Sequence, residues 1–284
     1  LNFSKTFLVV GSNSQLSLRI IENLPSNNTF VLYNSIPKYK HENILYFSIN
    51  ELNKLPKIDV VFIISAFIPD KINSFEDNQN LYNVNVDFIK KISSHFKDSK
   101  LIYASSVSVY DNFQGNIIKE DSTLNPTSPY AISKLWGETI IKQASKYSII
   151  RISSLIGKGL KETTFVPMII NSALKSGTIT LFGQGVREQN YINFTEAGKM
   201  FIKASELSAN STYLAVSNKS VSNKEIAESI KIILPKISII YKGDDDSLSY
   251  KYDASKTYSS LNYTPSITIE ESINEIIKWK KEQF

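Results

Sequence analysis

Tyr130 and Lys134 stand four residues apart in Ser128-Pro-Tyr-Ala-Ile-Ser-Lys134, behind a serine and a proline that suit the cap and first turn of a helix. At that spacing the two side chains share one helical face. A free phenol titrates near about 10, and both an ammonium one turn away and the unpaired N–H groups of a helix start favour the phenolate. The pair is therefore expected to have a lowered phenol pKa and to give or take a proton near neutral pH. Three hydroxyls, Ser105, Ser106 and Ser108, lie upstream where an apolar run ends.

The elements that would position these groups alternate. Thr6-Phe-Leu-Val-Val10 has the composition of a buried strand, Gly11-Ser-Asn-Ser-Gln-Leu-Ser17 that of a tight turn, and Leu16, Leu18, Ile20, Ile21 and Leu24 follow a helical period. Phe30–Tyr33 and Val60–Ile64 predict two further strands, with a short helical segment over Glu51–Leu55 between them. The spacing of Leu81, Val84, Phe88, Ile89 and Ile92 predicts a helix over 81–96, then Lys100–Tyr103 and Ser148–Ile152 predict strands. This order implies an α/β fold, a Rossmann-type doubly wound parallel sheet that binds ligands at the carboxyl ends of its strands. A boundary is expected at Gly157. Residues 1–157 would form a dinucleotide-binding domain, with segments near 190–217 returning to it, and 158–284 a smaller, mainly substrate-binding α/β region.

The composition narrows the chemistry further. The chain has 284 residues, 42% hydrophobic and 21% charged, with no cysteine, so thiolate and disulfide chemistry are absent. Its two histidines, His41 and His95, sit in polar surroundings without a constellation for a metal or a Ser–His–Asp triad, and no metal is expected. The net charge of +5 comes from lysines spread along the chain, which suits an anionic small molecule better than nucleic acid. Apolar runs are of strand length and no signal-peptide layout opens the chain, so a cytoplasmic protein without membrane contact is expected.

The turn after the first strand is an incomplete dinucleotide fingerprint. Gly11 stands at the first glycine position, whereas Ser14 and Ser17 occupy the other two, bringing a Cβ where backbone and phosphate should approach. Asn34 ends the second strand where an acid would hold a ribose 2′-hydroxyl, and Lys38 and Lys40 lie close by. Either NAD or NADP is compatible, and the neutral Asn34 leans toward NADP.

With Leu101-Ile-Tyr-Ala-Ser-Ser-Val-Ser-Val-Tyr110, Glu120-Asp121, Asn125-Pro126 and Ser128-Pro-Tyr-Ala-Ile-Ser-Lys-Leu-Trp-Gly-Glu138, the chain resembles an extended short-chain dehydrogenase/reductase of the NAD-dependent epimerase/dehydratase family, which acts on nucleotide sugars. The likeness continues through Arg151–Gly157, Leu181–Gly185, Tyr191–Glu196, Tyr213–Ser217 and Asp253–Pro265. It implies Tyr130 as acid/base, Lys134 as its partner and a ribose ligand, and Ser106 as the hydroxyl on the reacting sugar oxygen, with Ser105 and Ser108 as alternatives. It further implies cofactor contacts from Gly11, Asn13, Ser14, Gln15, Leu16, Asn34, Ser48, Ile49, Ser65 and Ala66, and an Asn at position 85. Substrate contacts would come from Ser154, which replaces a common Asn, and from Arg187.

Departures from the pattern bear on the reaction. Ser106-Val107-Ser108 replaces the Thr-Asp-Glu of 4,6-dehydratases, which disfavours dehydration, and Gln189-Asn190 replaces an Arg-Asp pair. The family's usual Asp near position 196 is Glu196 here. The resemblance implies reduction of an NDP-4-keto-6-deoxy sugar by NAD(P)H, with an NDP-sugar 4-epimerase holding NAD tightly as the alternative. A non-catalytic NAD(P)-binding sensor is the reading of another class. A homodimer built from the Tyr130 helix and the last helices is also implied.

Overall fold

The structure, a computed structural model, describes residues 4–69 and 75–283. Strand β1 (Phe7–Val10) is buried at every position, as a parallel strand covered on both faces must be. Gly11 turns the chain at φ +99° into α1 (Gln15–Ile21). Next come β2 (Thr29–Tyr33), β3 (Leu45–Ser48), a 3-10 turn at Ile49–Lys54 and β4 (Val60–Ile63). The helix foreseen from Leu81 begins earlier and is interrupted: α2 (Phe75–Tyr82) runs through a π turn, Asn83–Asp87, into α3 (Phe88–His95).

β5 (Lys100–Ser106) ends in a 3-10 turn, Val107–Tyr110, and is followed by β6 (Ile117–Ile118), α4 (Pro129–Ile141) and β7 (Tyr147–Ile152). Beyond them lie β8 (Ser154–Ile156), α5 (Phe165–Ser176), β9 (Thr178–Phe182), β10 (Glu188–Asn193), α6 (Phe194–Glu206) and β11 (Ser211–Ala215). The chain closes with β12 (Ser220–Ser222), α7 (Asn223–Ile233), β13 (Ser238–Lys242), β14 (Lys251–Tyr252), α8 (Ser255–Leu261) and α9 (Ile269–Lys281).

Seven strands form one parallel sheet in the order β11-β7-β5-β4-β1-β2-β3. Alternate residues of β1 serve opposite faces. Phe7 and Val9 pack with Leu16 and Ile20 of α1 and Met200 and Phe201 of α6, while Leu8 and Val10 pack with Ile89 and Ile92 of α3 and Ile141 of α4. Edge strand β3 is not evident from apolar periodicity, because its residues are only half covered and Leu45 is exposed. β11 pairs with β7 and α6 packs on α1, but β10 belongs to a small three-stranded sheet with β8 and β12. A further apolar core gathers Ile170, Ile230, Ile273 and Ile277 from α5, α7 and α9. Among the described residues, no helix is long and apolar enough to cross a membrane.

Candidate active site

The N-terminus of α4 forms as its sequence predicts. The Ser128 side chain accepts from the Ala131 N–H at 3.2 Å and Pro129 opens the first turn, which puts Tyr130 at the mouth of the helix. Across from it, β5 ends in two serines with different tasks. Ser105 points inward and donates to Glu138 Oε1 at 2.6 Å. Ser106 caps the following 3-10 turn, and its Oγ accepts from Ser108 N at 3.2 Å and from Ser108 Oγ at 3.0 Å. With those two bonds accepted, the Ser106 proton remains free for a further acceptor, and Ser106 favours the Tyr130 phenolate. Of the three candidate hydroxyls, Ser106 therefore acts on the phenol and Ser108 holds it.

The electrostatics of the pair differ from the expectation. Burial pushes the Tyr130 phenol up to about 12, outweighing the Ser106 hydrogen bond, so the resting side chain is protonated. Lys134 does not lower it. The lysine is buried, its ammonium lies 4.3 Å from the centre of the Tyr103 ring, and loss of water brings its pKa down to about 7 against the pull of the Glu138 charge. Local spacing put the two groups on one face correctly, but desolvation, which spacing does not encode, moved both pKa values toward the neutral forms.

Behind them lies a buried ion pair. Arg151 on β7 grips both oxygens of Glu138, Nε to Oε1 at 2.9 Å and Nη2 to Oε2 at 2.7 Å, and its Nη1 donates to Tyr110 Oη at 2.5 Å and to the Glu120 carbonyl at 2.9 Å. Asn85, in the π turn, accepts from Phe67 N at 2.8 Å and donates to the Phe67 carbonyl at 2.9 Å and to Ser133 Oγ at 3.0 Å. Ser133 in turn donates to the Tyr130 carbonyl at 2.7 Å. Asn85 thus couples the segment after β4 to the turn that carries Tyr130, and a π turn is how its helix presents that amide.

The carboxyl edge of the sheet carries the remaining expected positions. Gly11, Asn34, Ser65 and Ala66 follow the ends of β1, β2 and β4. At Gly11 a Cβ would lie 2.9 Å from the Ser65 backbone nitrogen, so the turn leaves no room for a side chain. Ser14 Oγ accepts from Ser17 N at 3.0 Å and shares a 2.7 Å hydrogen bond with Ser17 Oγ, so the two serines at glycine positions are partners. Asn13 holds the loop after β2, accepting from Lys38 N at 2.9 Å and donating to the Ile36 carbonyl at 3.2 Å. Gln15 reaches across to Gly159, where a Cβ would come within 2.3 Å of its amide, and Leu16 is buried in the core. The Ser48 hydroxyl is engaged differently, bonding Glu51 in a capping box as Ile49 starts the 3-10 turn. On the opposite side, Ser154 is exposed at the start of β8 and Arg187 precedes β10. Arg187 Nε is buried without a hydrogen-bond partner. Neither touches the Tyr130 group. Glu196 accepts from Tyr263 Oη and Ser266 N, each at 2.9 Å, and so ties the C-terminal loop to α6.

The model of the NAD dependent epimerase/dehydratase family matches residues 8–213. The chain belongs to that family. Curated relatives include the dTDP-4-dehydro-6-deoxyglucose reductase of Escherichia coli, 24% identical over 77% of this chain and 73% of the relative. The UDP-glucose 4-epimerase of Lactobacillus helveticus is 26% identical over 83% and 81%. A putative UDP-glucose 4-epimerase of Methanocaldococcus jannaschii is 27% identical over 64% of this chain, which spans 63% of that relative's length. Among solved structures, the UDP-N-acetylglucosamine 4-epimerase of Methanobrevibacter ruminantium superposes with a TM-score of 0.88 at 22% identity, covering 99% of each chain. The Bacillus cereus UDP-glucuronic acid 4-epimerase, in complex with UDP-glucuronic acid and NAD, gives 0.86 at 18% identity over 98% of this chain and 100% of that one. At these identities the superpositions establish the fold.

For a member of the NAD dependent epimerase/dehydratase family, the loop geometry fits a dinucleotide. The turn at Gly11 packs directly on the Ser65 backbone, as only a glycine allows, and beside it Ser12 Oγ is buried without a partner. The residues that local pattern did not single out are Tyr103, Arg151 as the clamp on Glu138, and Ser108 as the support of Ser106. Tyr103 and Arg151 act through contacts between separate elements, whereas Ser108 acts on a residue two positions away.

Proposed function

We propose that this chain is a nucleotide-diphosphate-sugar oxidoreductase acting at C4 of the sugar, and that the reaction is reduction of an NDP-4-keto-6-deoxy sugar. The observation that carries the reading is the Ser106 hydroxyl, anchored by Ser108 and acting on the protonated Tyr130 phenol at the carboxyl edge of the sheet. Gly11, Asn13, Ser14, Gln15, Leu16, Asn34, Ser65 and Ala66 would hold a nicotinamide dinucleotide, which would supply the hydride. Tyr130 gives its proton to the carbonyl oxygen as that oxygen becomes an alcohol, and Ser106 donates a hydrogen bond to the same atom. Lys134 meets the nicotinamide ribose, and Arg187, with Ser154, meets the diphosphate. Ser48 and Ile49 are left to shape the far end of the dinucleotide pocket. Residues up to about 157, with α6 and β11, make the dinucleotide half; the rest supplies the sugar side.

The exposed Asn34, Lys38 and Lys40 at the end of β2 favour NADP over NAD. A 4-epimerase with tightly held NAD is the second reading, favoured by the likeness to 4-epimerases in sequence and fold. Incubation with NADPH or NADH and a panel of NDP-sugars separates the two. A reductase consumes reduced nicotinamide in step with product, an epimerase interconverts sugars with no net change in nicotinamide absorbance, and a dinucleotide-binding protein that turns over neither overturns both.

We further propose a homodimer through α2 and α4. Among the described residues, Phe75, Tyr82, Ile132 and Trp136 leave an apolar stripe exposed there, with Tyr82 and Trp136 rings 5.8 Å apart, which supports a contact through these helices. Sedimentation of the wild type as a dimer and of Trp136→Glu as a monomer is expected; a wild-type monomer at micromolar concentration overturns it.

A further inference from the structure

Lys134 is in an unusual position for a cation. Its side chain is 2% exposed, and among the described residues no carboxylate comes within ion-pair distance of it. The nearest acid along its own helix is Glu138, yet both Glu138 oxygens are occupied by Arg151, and one also by Ser105. Glu138 can therefore act on Lys134 only through its field. What the ammonium meets directly is the Tyr103 ring, with Nζ 4.3 Å from its centre, well inside the distance at which a ring face attracts a cation.

The ring is there by construction. Tyr103 is wholly buried on β5, and its hydroxyl has no hydrogen-bond partner, so no hydrogen bond explains the placement of the side chain. Gly137 lies in the interior of α4, where glycine weakens a helix relative to alanine. A Cβ at this position would stand 2.1 Å from Tyr103 Oη and 2.7 Å from its Cζ, so α4 admits the ring only because residue 137 has none.

We propose that Tyr103 is a positioning residue for Lys134: its π face carries the ammonium in the interior beside Tyr130, and Gly137 is glycine so that the ring can lie beneath it. The inference rests on the reading of Lys134 as a functional cation. The groups that act on the lysine are Glu138 on its own helix and Tyr103 on β5; Arg151 on β7 neutralises Glu138, Tyr130 couples to Tyr103, and the π turn contributes the uncharged Asn85. Removing the ring's attraction selectively destabilises the charged lysine, so the lysine should lose its proton at lower pH.

The titration of Lys134 is read by NMR of isotope-labelled lysine, with its signal assigned by its absence in Lys134→Met. Tyr103→Phe keeps the π face and should leave the midpoint unchanged. Replacement of Tyr103 by trifluorophenylalanine keeps the shape but removes the negative face, and should lower the midpoint by about one pH unit, a tenfold shift in the protonation equilibrium, as should Tyr103→Leu. An unmoved midpoint with the fluorinated ring, or a shift with phenylalanine as large as with the fluorinated ring, overturns the proposal. The fluorinated protein carries the test alone should Tyr103→Leu not fold. NADPH and NADH binding by Lys134→Met is measured alongside: unchanged affinity would sink the functional reading of Lys134, while the effect of Tyr103 on its titration would stand.

Discussion

Two serine pairs in this protein are built alike and sit at opposite ends of the proposed chemistry. In one, Ser14 Oγ accepts from Ser17 N and bonds Ser17 Oγ, closing the turn after β1. In the other, Ser106 Oγ accepts from Ser108 N and Ser108 Oγ, closing the turn after β5. Both pairs cap a helical segment and satisfy its first N–H groups. The difference is what faces the leading serine. Ser106 acts on a phenol whose proton it can influence, whereas Ser14 stands at the loop proposed to meet phosphate, where its family position is glycine. In the proposed reaction a hydrogen-bonded hydroxyl is thus a scaffold at one site and a reactive contact at the other, and only its neighbour decides which.

The comparison can be broken at several points. Tyr130→Phe should lower turnover by about 10²–10⁴-fold, measured on the sugar found to react, while dinucleotide affinity stays nearly constant. If turnover survives, the Ser106 pair is scaffold as well. Ser106→Ala should cost about 10²-fold in kcat, from loss of a donor aimed at the reacting oxygen; Ser108→Ala, which only loosens Ser106, should cost far less.

Lys134→Met sharpens the energetic side. A lysine whose pKa falls to about 7 on folding is charged in both states below that value, and its burial penalty is then in full force. Between the folded pKa and the unfolded value near about 10.4 the unfolded chain binds more protons, so stability rises with pH. The substitution should therefore stabilise the protein by about 1–2 kcal/mol at about pH 6 and by less at about pH 10, read by urea unfolding. Equal gains at both would mean that the lysine is not desolvated.

The smallest effect is expected at the first pair. Ser14→Gly restores the family residue and, since glycine is nearly as good a cap, should cost only about 0.2–0.5 kcal/mol of stability and change dinucleotide affinity less than about threefold. A tenfold gain in affinity would show instead that the Ser14 side chain obstructs the phosphate.

Much of this arrangement is legible in the chain itself. The Ser128 cap, the first-turn proline and the strand–turn–helix order from Phe7 all depend on neighbours within a few residues, and they form as local preference dictates. What is less legible has few local cues. β3 carries little periodicity because its side chains are half exposed, and β10 leaves the large sheet because its partners, β8 and β12, come from both sides of it in sequence. The π turn that aims Asn85 at Phe67 and Ser133 likewise depends on contacts with a loop and a helix remote from it in sequence.

The sequence by itself determined which groups are available: a phenol and an amine on one helical face, hydroxyls at a strand end, and a glycine turn behind the first strand. The tertiary structure decided their state. It placed Lys134 over Tyr103 rather than against Tyr130, spent the Glu138 charge on Arg151, and chose Ser106 over Ser105 as the hydroxyl acting on the phenol. The reason is physical. Helical and strand geometry follow from covalent structure over a few residues, whereas desolvation and charge pairing depend on which distant segments close over a site.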